Sequence, residues 1–360
     1  MLMRLQTLLA LAALLAAPAI AAADTTVSAG GTGWVDIAPE GTTCWDGSPW
    51  HFWYRGGSAD KLAIWFEGGG ACWNARMCDA AGKPTFKPAA AAQQPQARGL
   101  FDARHANNPL RDFSIVVLPY CTGDMHIGRR TVEYRRGDGT TFQFAHEGSR
   151  NTRAALDWLK SRGFDPQTLF VGGESVGAVA AAFWSVEIGD RWSNAQLITL
   201  GDSAGGYRAL GVNQALRQWG VLDELPDLPA YADRDRVFFE SFYIATVQRH
   251  PDARLAQVNF ADDAVQRRFM ALLGTPVKQL TKPLTCNLNE VRIDAPGFRS
   301  FIYPGTKHVM LRTDAVYTTR CEGQSVASWV GELIAGRPLE NRWCDGTTSS
   351  LVNPTPVPGL

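Results

Sequence analysis

Neither charge is in surplus in this chain: 35 Lys and Arg stand against 35 Asp and Glu in 360 residues. No basic stripe is present, which removes nucleic acid as an expected partner. No two cysteines have Cys-x-x-Cys spacing, so a zinc site is not expected, and nothing in the chain asks for a metal or another cofactor. The glycine run at 68–70 lacks the Gly-x-Gly-x-x-Gly pattern and is followed by no Gly-Lys-Ser/Thr, which excludes a phosphate loop. No apolar run after the N-terminal segment reaches the roughly 18 residues that a membrane span needs. Histidine is scarce, with six in the chain, so the field of candidate bases is short.

The N-terminus has a purpose of its own. Arg4, the apolar stretch Leu8–Ala17 and the small residues Ala21-Ala22-Ala23 read as a secretory signal peptide over residues 1–23. No cysteine follows the cleavage point, which argues against a lipid anchor. The expected product is a protein that is secreted or periplasmic. Residues 24–344 suit one large domain, and 345–360, rich in Thr, Ser and Pro, are expected to form a poorly ordered tail.

Short apolar runs recur along the mature chain: Leu62–Phe66, Phe113–Leu118, Thr168–Val171, Leu197–Leu200, Leu255–Phe260 and Phe298–Tyr303. Such runs suit strands buried on both faces of a parallel sheet. Helical patterns lie between them, clearest from Asn151 to Arg162 with a glycine stop at Gly163. The alternation predicts an α/β fold with a mostly parallel central sheet flanked by helices.

Two copies of Gly-x-Ser-x-Gly follow strand candidates: Gly173-Glu174-Ser175-Val176-Gly177 and Gly201-Asp202-Ser203-Ala204-Gly205. The pattern makes a sharp strand-to-helix turn that lifts a hydroxyl clear of the sheet, and the chain order around it is Ser, Asp/Glu, His. With Ser175 as nucleophile, the run ending at Leu200 is the intervening strand. Asp262 and Asp263 then follow the next strand, and His308 follows the last. With Ser203 no clean strand intervenes before Leu255, since Val237–Val247 reads better as helix. Order therefore selects Ser175 and His308, while spacing alone leaves Asp262 and Asp263 undivided. His126 follows an earlier strand at the same sheet end and is the alternative base and a candidate substrate contact. An oxyanion hole needs backbone N–H donors, here expected from Val176 and from the loop Glu67-Gly68-Gly69-Gly70, with Gly69 and Gly70 the candidates. The Gly201–Gly206 turn is expected to line the same cleft, with Asp202 a candidate substrate contact.

These residues resemble a bacterial member of the pectin acetylesterase and Notum family of α/β-hydrolases. Thr43-Cys44-Trp45-Asp46-Gly47-Ser48-Pro49 is similar to the family's Cys-x-Asp-Gly-Ser entry. Trp65–Cys72 with Cys78-Asp79 is similar to its Leu-Glu-Gly-Gly…Cys…Cys-Asp stretch. Pro119–Asp124 is similar to its Pro-Tyr-Cys-x-x-Asp loop, and His146-Glu147-Gly148 with Asn151 to its His-x-Gly-x-x-Asn helix start. Asp263–Gln266 matches its Asp-x-x-Gln, and this favours Asp263 as the acid. The similarity runs from about Cys44 to about Trp329. There are departures. The nucleophile segment reads Ser175-Val176-Gly177-Ala178 rather than Ser-Ala-Gly-Gly, and that literal string occurs at Ser203–Gly206. The Gly70 position is aromatic in some members.

The resemblance implies an α/β-hydrolase fold with inserted helices and loops over the active site, and a serine carboxylesterase acting on carboxylic, including acetyl, esters. It also implies disulfides Cys44–Cys121 and Cys72–Cys78, leaving Cys286, Cys321 and Cys344 unassigned. Two other readings use the same residues. One is a serine peptidase on the same fold. The other is a catalytically silent carbohydrate binder using some of the twelve tryptophans, among them Trp45, Trp50, Trp53, Trp65 and Trp73.

Overall fold

A computed structural model describes residues 33–87 and 93–344. The expected leader at 1–23 and the tail at 345–360 lie outside the described residues. The strands, in chain order, are β1 (Trp34–Ile37), β2 (Phe52–Arg55), β3 (Ser58–Phe66), β4 (Phe113–Leu118), β5 (Arg130–Arg135), β6 (Thr141–His146), β7 (Thr168–Glu174), β8 (Gln196–Asp202), β9 (Arg254–Phe260), β10 (Arg299–Tyr303), β11 (Arg320–Cys321), β12 (Gln324–Ser325) and β13 (Arg342–Trp343). Nine of them form one sheet in the order β1-β2-β4-β3-β7-β8-β9-β10-β13. The pairings β1–β2 and β2–β4 are antiparallel. Every other pairing in this sheet is parallel, while β5–β6 and β11–β12 form two separate antiparallel pairs. Helices pack on both faces, and the arrangement is an α/β-hydrolase fold.

The inner strands are buried along most of their length and mainly apolar there, because both of their faces are covered. Leu62, Ile64 and Phe66 of β3 point into one core with Leu156 and Leu159 of the helix Gly148–Ser161. Ala63 and Trp65 point into the other, which holds Trp329 of the helix Val326–Ala335. The helix Val176–Arg191 is lined with small residues, among them Gly177, Ala178, Ala181 and Ala182, and nearly all of it is buried. A Cβ at Gly177 would stand 2.1 Å from the Phe66 carbonyl oxygen, so glycine sets how closely this helix approaches the sheet.

Strand order fixes where a site can form. After β3 the chain moves outward to β4, then returns past β3 to β7. The connections leaving β3 and β7 therefore diverge, which opens a crevice beyond their C-terminal ends. The loop after β3 is Glu67–Gly70, and the residue after β7 is Ser175.

Three disulfides are formed: Cys44–Cys121, Cys72–Cys78 and Cys321–Cys344. The first two are the pairs the resemblance implies, and the third leaves Cys286 free and exposed. Cys44–Cys121 closes a sequence separation of 77 residues and Cys72–Cys78 one of 6. On loop entropy the first contributes about 4–5 kcal/mol and the second about 2, so the short bond acts more on loop shape than on stability. No helix among the described residues is long and apolar enough to cross a membrane.

Candidate active site

Ser175 sits at the turn from β7 into the helix Val176–Arg191, with φ 57° and ψ −125°. A non-glycine residue in this region stores about 1–3 kcal/mol of strain, which the surroundings must hold. They do so by close backbone approach. A Cβ at Gly173 would lie 2.2 Å from the Gly177 carbonyl oxygen, so both motif glycines are required by contact. The Ser175 N–H donates to the Asp202 carbonyl at 2.7 Å, anchoring the turn to β8. The Val176 N–H, at the first position of the helix, has no intrahelical acceptor by geometry. Across the crevice, a Cβ at Gly68 would lie 2.8 Å from the Glu174 carbonyl oxygen and 3.0 Å from Ser175 Cβ. Gly70 has φ +78°, and a side chain there would strike the Thr85 carbonyl at 2.2 Å, which accounts for glycine at this position.

The candidate acid and base follow β9 and β10. Asp263 is fully buried. It caps the helix Ala264–Leu272, its Oδ1 accepting from the N–H groups of Val265 and Gln266 at 2.9 and 3.0 Å. Its Oδ2 accepts from Gln266 Nε2 at 3.2 Å and faces His308 Nδ1 at 2.6 Å. Asp262 turns the other way, accepting from the Leu280 N–H at 2.8 Å. The imidazole Nε2 of His308 is buried and has no partner among the described residues. An ionised Asp263 accepts only, so Nδ1 carries the proton and Nε2 has a free lone pair. Nearby, the Tyr207 side chain is also buried, close to Ser175 and Asp263. Burial pushes its ionisation upward, Asp263 adds to this, and Ser175 opposes it.

The second Gly-x-Ser-x-Gly turn is used differently. Ser203 is fully buried. Its Oγ donates to Asp202 Oδ1 at 3.0 Å and accepts the Val309 N–H at 3.0 Å. Asp202 Oδ2 accepts the N–H groups of Met310 and Leu311, each at 2.7 Å. Asp202 and Ser203 therefore tie down the segment that carries His308. The sequence placed Asp202 in the cleft as a substrate contact; the structure places it under the histidine loop, fully buried, with both carboxylate oxygens occupied. Burial pushes its carboxyl up to about 6, against the three hydrogen bonds.

His126 is likewise drawn inward. It is buried, with its ring against Tyr120 and Phe66. Its Nε2–H donates to the Glu67 carbonyl at 2.9 Å, propping the entry to the glycine loop. Burial pushes this imidazole down to about 4, and the bond to Glu67 offsets only part of that. A folded-state value below the ordinary 6.5 means that the unfolded chain takes up the proton first as pH falls. The stabilisation is complete above about pH 6.5 and is lost on the way down to about 4. Asp124, pushed up to about 7 by burial, acts in the opposite sense. The test is therefore a difference. The stability advantage of the parent over His126→Asn should be roughly 3 kcal/mol smaller at pH 4 than at pH 7. Denaturant titrations at several pH values measure it, and a gap that stays constant or widens toward acid contradicts the buried neutral imidazole.

Among the described residues Cys72, Cys78 and His146 lie close enough together to suggest a metal. The two sulfurs are joined in a disulfide. His146 Nδ1–H donates to the Thr122 carbonyl, and Nε2 accepts from the Tyr134 hydroxyl. No ligand atom is free there. The tryptophans proposed for a sugar platform are mostly interior: Trp50, Trp65 and Trp73 are buried in the cores. Sequence reasoning passed over Glu67, Glu174, Arg312 and Tyr207 as participants, because none of them carries a local motif for its contacts.

A family model described as Pectinacetylesterase matches residues 28–207, half of the chain. The match takes in the glycine loop, Ser175 and the second serine turn, and ends before Asp263 and His308. No curated protein matches the chain.

Proposed function

The chain belongs to the pectinacetylesterase family, whose activity is carboxylic ester hydrolysis, and from that premise we propose a Ser-His-Asp esterase working through an acyl-enzyme. Ser175 Oγ attacks the ester carbonyl while His308 Nε2 takes its proton. Asp263 holds Nδ1–H and stabilises the imidazolium. The negative charge on the tetrahedral oxygen is met by backbone N–H groups of Val176 and of the Gly69-Gly70 loop. His308 then passes its proton to the leaving alcohol, and a water activated by the same nitrogen releases the acid. No step calls on a metal or cofactor.

The observation that carries this reading is the Asp263–His308 pair. Its 2.6 Å contact fixes one ring nitrogen and leaves the other buried and unpartnered, and His308 and Ser175 both follow the C-terminal ends of parallel strands of the sheet. The family name points to acetyl groups on a polysaccharide as the ester. Three disulfides support an exported protein, in keeping with the leader read at residues 1–23.

The test is turnover on p-nitrophenyl esters of increasing acyl length, acetylated glycans and peptides, side by side. Acetyl ester hydrolysis that resists chelators and is stopped by a phosphonate is the expected result. Peptide cleavage without ester turnover would move the assignment to a peptidase, and no turnover with glycan binding would move it to a binding protein.

A further inference from the structure

Arg312 joins two site loops through a single nitrogen. Its Nη1 donates to Glu67 Oε1 at 2.6 Å and to Glu174 Oε1 at 2.9 Å. Glu67 immediately precedes Gly68-Gly69-Gly70, and Glu174 immediately precedes Ser175. The second oxygen of Glu174 accepts the indole N–H of Trp65, so this carboxylate is held from two sides. The guanidinium lies over the Phe101 ring, 4.9 Å from its centroid. Arg312 also belongs to the segment that carries His308, directly after Met310 and Leu311, whose N–H groups bind Asp202. The glycine loop, the nucleophile turn and the histidine loop thus meet at one charged node.

Two carboxylates on one guanidinium leave the node with a surplus negative charge. Burial pushes the Glu67 carboxyl up, Arg312 opposes this, Glu174 adds to it, and Lys87 opposes it weakly. Without the guanidinium, two partly buried carboxylates would face each other and repel. Their cheapest relief is separation, which moves Gly69 and Gly70 away from Ser175. Gly68 already sits in tight contact with that turn, its Cβ direction ending 3.0 Å from Ser175 Cβ. A guanidinium keeps its proton at any working pH, so the clamping cation is present throughout.

We propose that Arg312 is a positioning residue for ester hydrolysis: it sets the spacing between the oxyanion glycines and Ser175 by clamping Glu67 to Glu174. This rests on Ser175 as the nucleophile. Misplacement of hole donors by about 1 Å costs on the order of 100-fold in rate. Arg312→Gln should therefore lower kcat about 30- to 100-fold with KM changed less than about threefold. The rate of phosphonate inactivation, which passes through the same geometry, should fall by a similar factor. Adding Glu67→Gln to Arg312→Gln removes one repelling charge and supplies an amide N–H to Glu174. The double variant should regain about tenfold of the lost kcat, a recovery that a simple packing defect would not give.

Purified full-length variants are assayed beside Ser175→Ala, with melting temperatures recorded. An active Ser175→Ala refutes the nucleophile assignment itself. An inactive Ser175→Ala together with Arg312→Gln at parent kcat, a loss carried entirely in KM, or no recovery in the double variant overturns the clamp alone. If Arg312→Gln fails to fold, Arg312→Lys is measured instead. Its shorter stem keeps the charge but not both bonds, so a lowered kcat at unchanged KM is expected, and parent kcat refutes the clamp.

Discussion

Ser175→Ala should lose essentially all esterase turnover, on the order of 10⁶-fold in kcat, the scale set by removing a nucleophile from a cooperating triad. Ser203→Ala should stay within about tenfold of the parent. The two serines share a motif and a left-handed φ, 57° and 65°, yet their hydroxyls are in different states. Ser203 Oγ is spoken for by Asp202 and by the Val309 N–H. Its loss leaves a buried N–H unpaired, which costs about 1–3 kcal/mol of stability and loosens the histidine loop. Ser203→Ala should accordingly lower the melting temperature more than Ser175→Ala does. Initial rates and thermal melts of both variants, taken together, read out the difference.

His308→Ala should lower kcat by roughly 10⁴- to 10⁶-fold, and Asp263→Asn by up to about 10⁴-fold. The asparagine keeps the space but can present an N–H to Nδ1, which favours the tautomer with the proton on Nε2 and leaves no lone pair for the Ser175 proton. Asp263→Asn should also disturb the helix Ala264–Leu272, since its Oδ1 accepts two N–H groups there. Asp262→Asn should be mild, because that carboxylate faces Leu280 N–H and Arg267 rather than the imidazole. A severe Asp262→Asn with a mild Asp263→Asn would reverse the choice of acid and leave the fold untouched.

The inner sheet was legible because strands covered on both faces have no polar side to hide behind. The runs at Leu62, Phe113, Thr168, Leu197, Leu255 and Phe298 fall within or against β3, β4 and β7–β10. The helix Gly148–Ser161 ends next to Gly163, which has φ +75°. Val237–Val247 falls largely in the helix Phe239–Arg249. The edges were not legible. β1 and β2 are four residues each with no in-out alternation, and β13 is two residues long, so none of the three gives a periodic signal. The helix Thr281–Asp294 carries Pro283 near its start and buries only Leu284, Asn287, Leu288 and Val291, a thin stripe that includes a polar residue and is easily passed over.

The same division runs through the site. Ser175, Asp263 and His308 follow strand ends, and strand order is a property the sequence carries. Residues whose roles depend on distant partners were not readable. Asp202 at a strand end looked like a substrate contact; its partners are 108 and 109 residues further on. Arg312 bridges partners 245 and 138 residues away, and an arginine in a loop has no local mark of such a position. His126 was noted for its place after β4, but only packing shows its ring enclosed by Phe66 and Tyr120.

The most direct measurement is the site of covalent capture. Purified protein is treated with an alkyl phosphonate until ester hydrolysis stops, digested, and the adduct located by mass spectrometry. A single adduct on Ser175, absent when His308 is replaced by alanine, is the expected outcome. An adduct on Ser203, or full labelling of Ser175 that leaves turnover intact, would contradict the account.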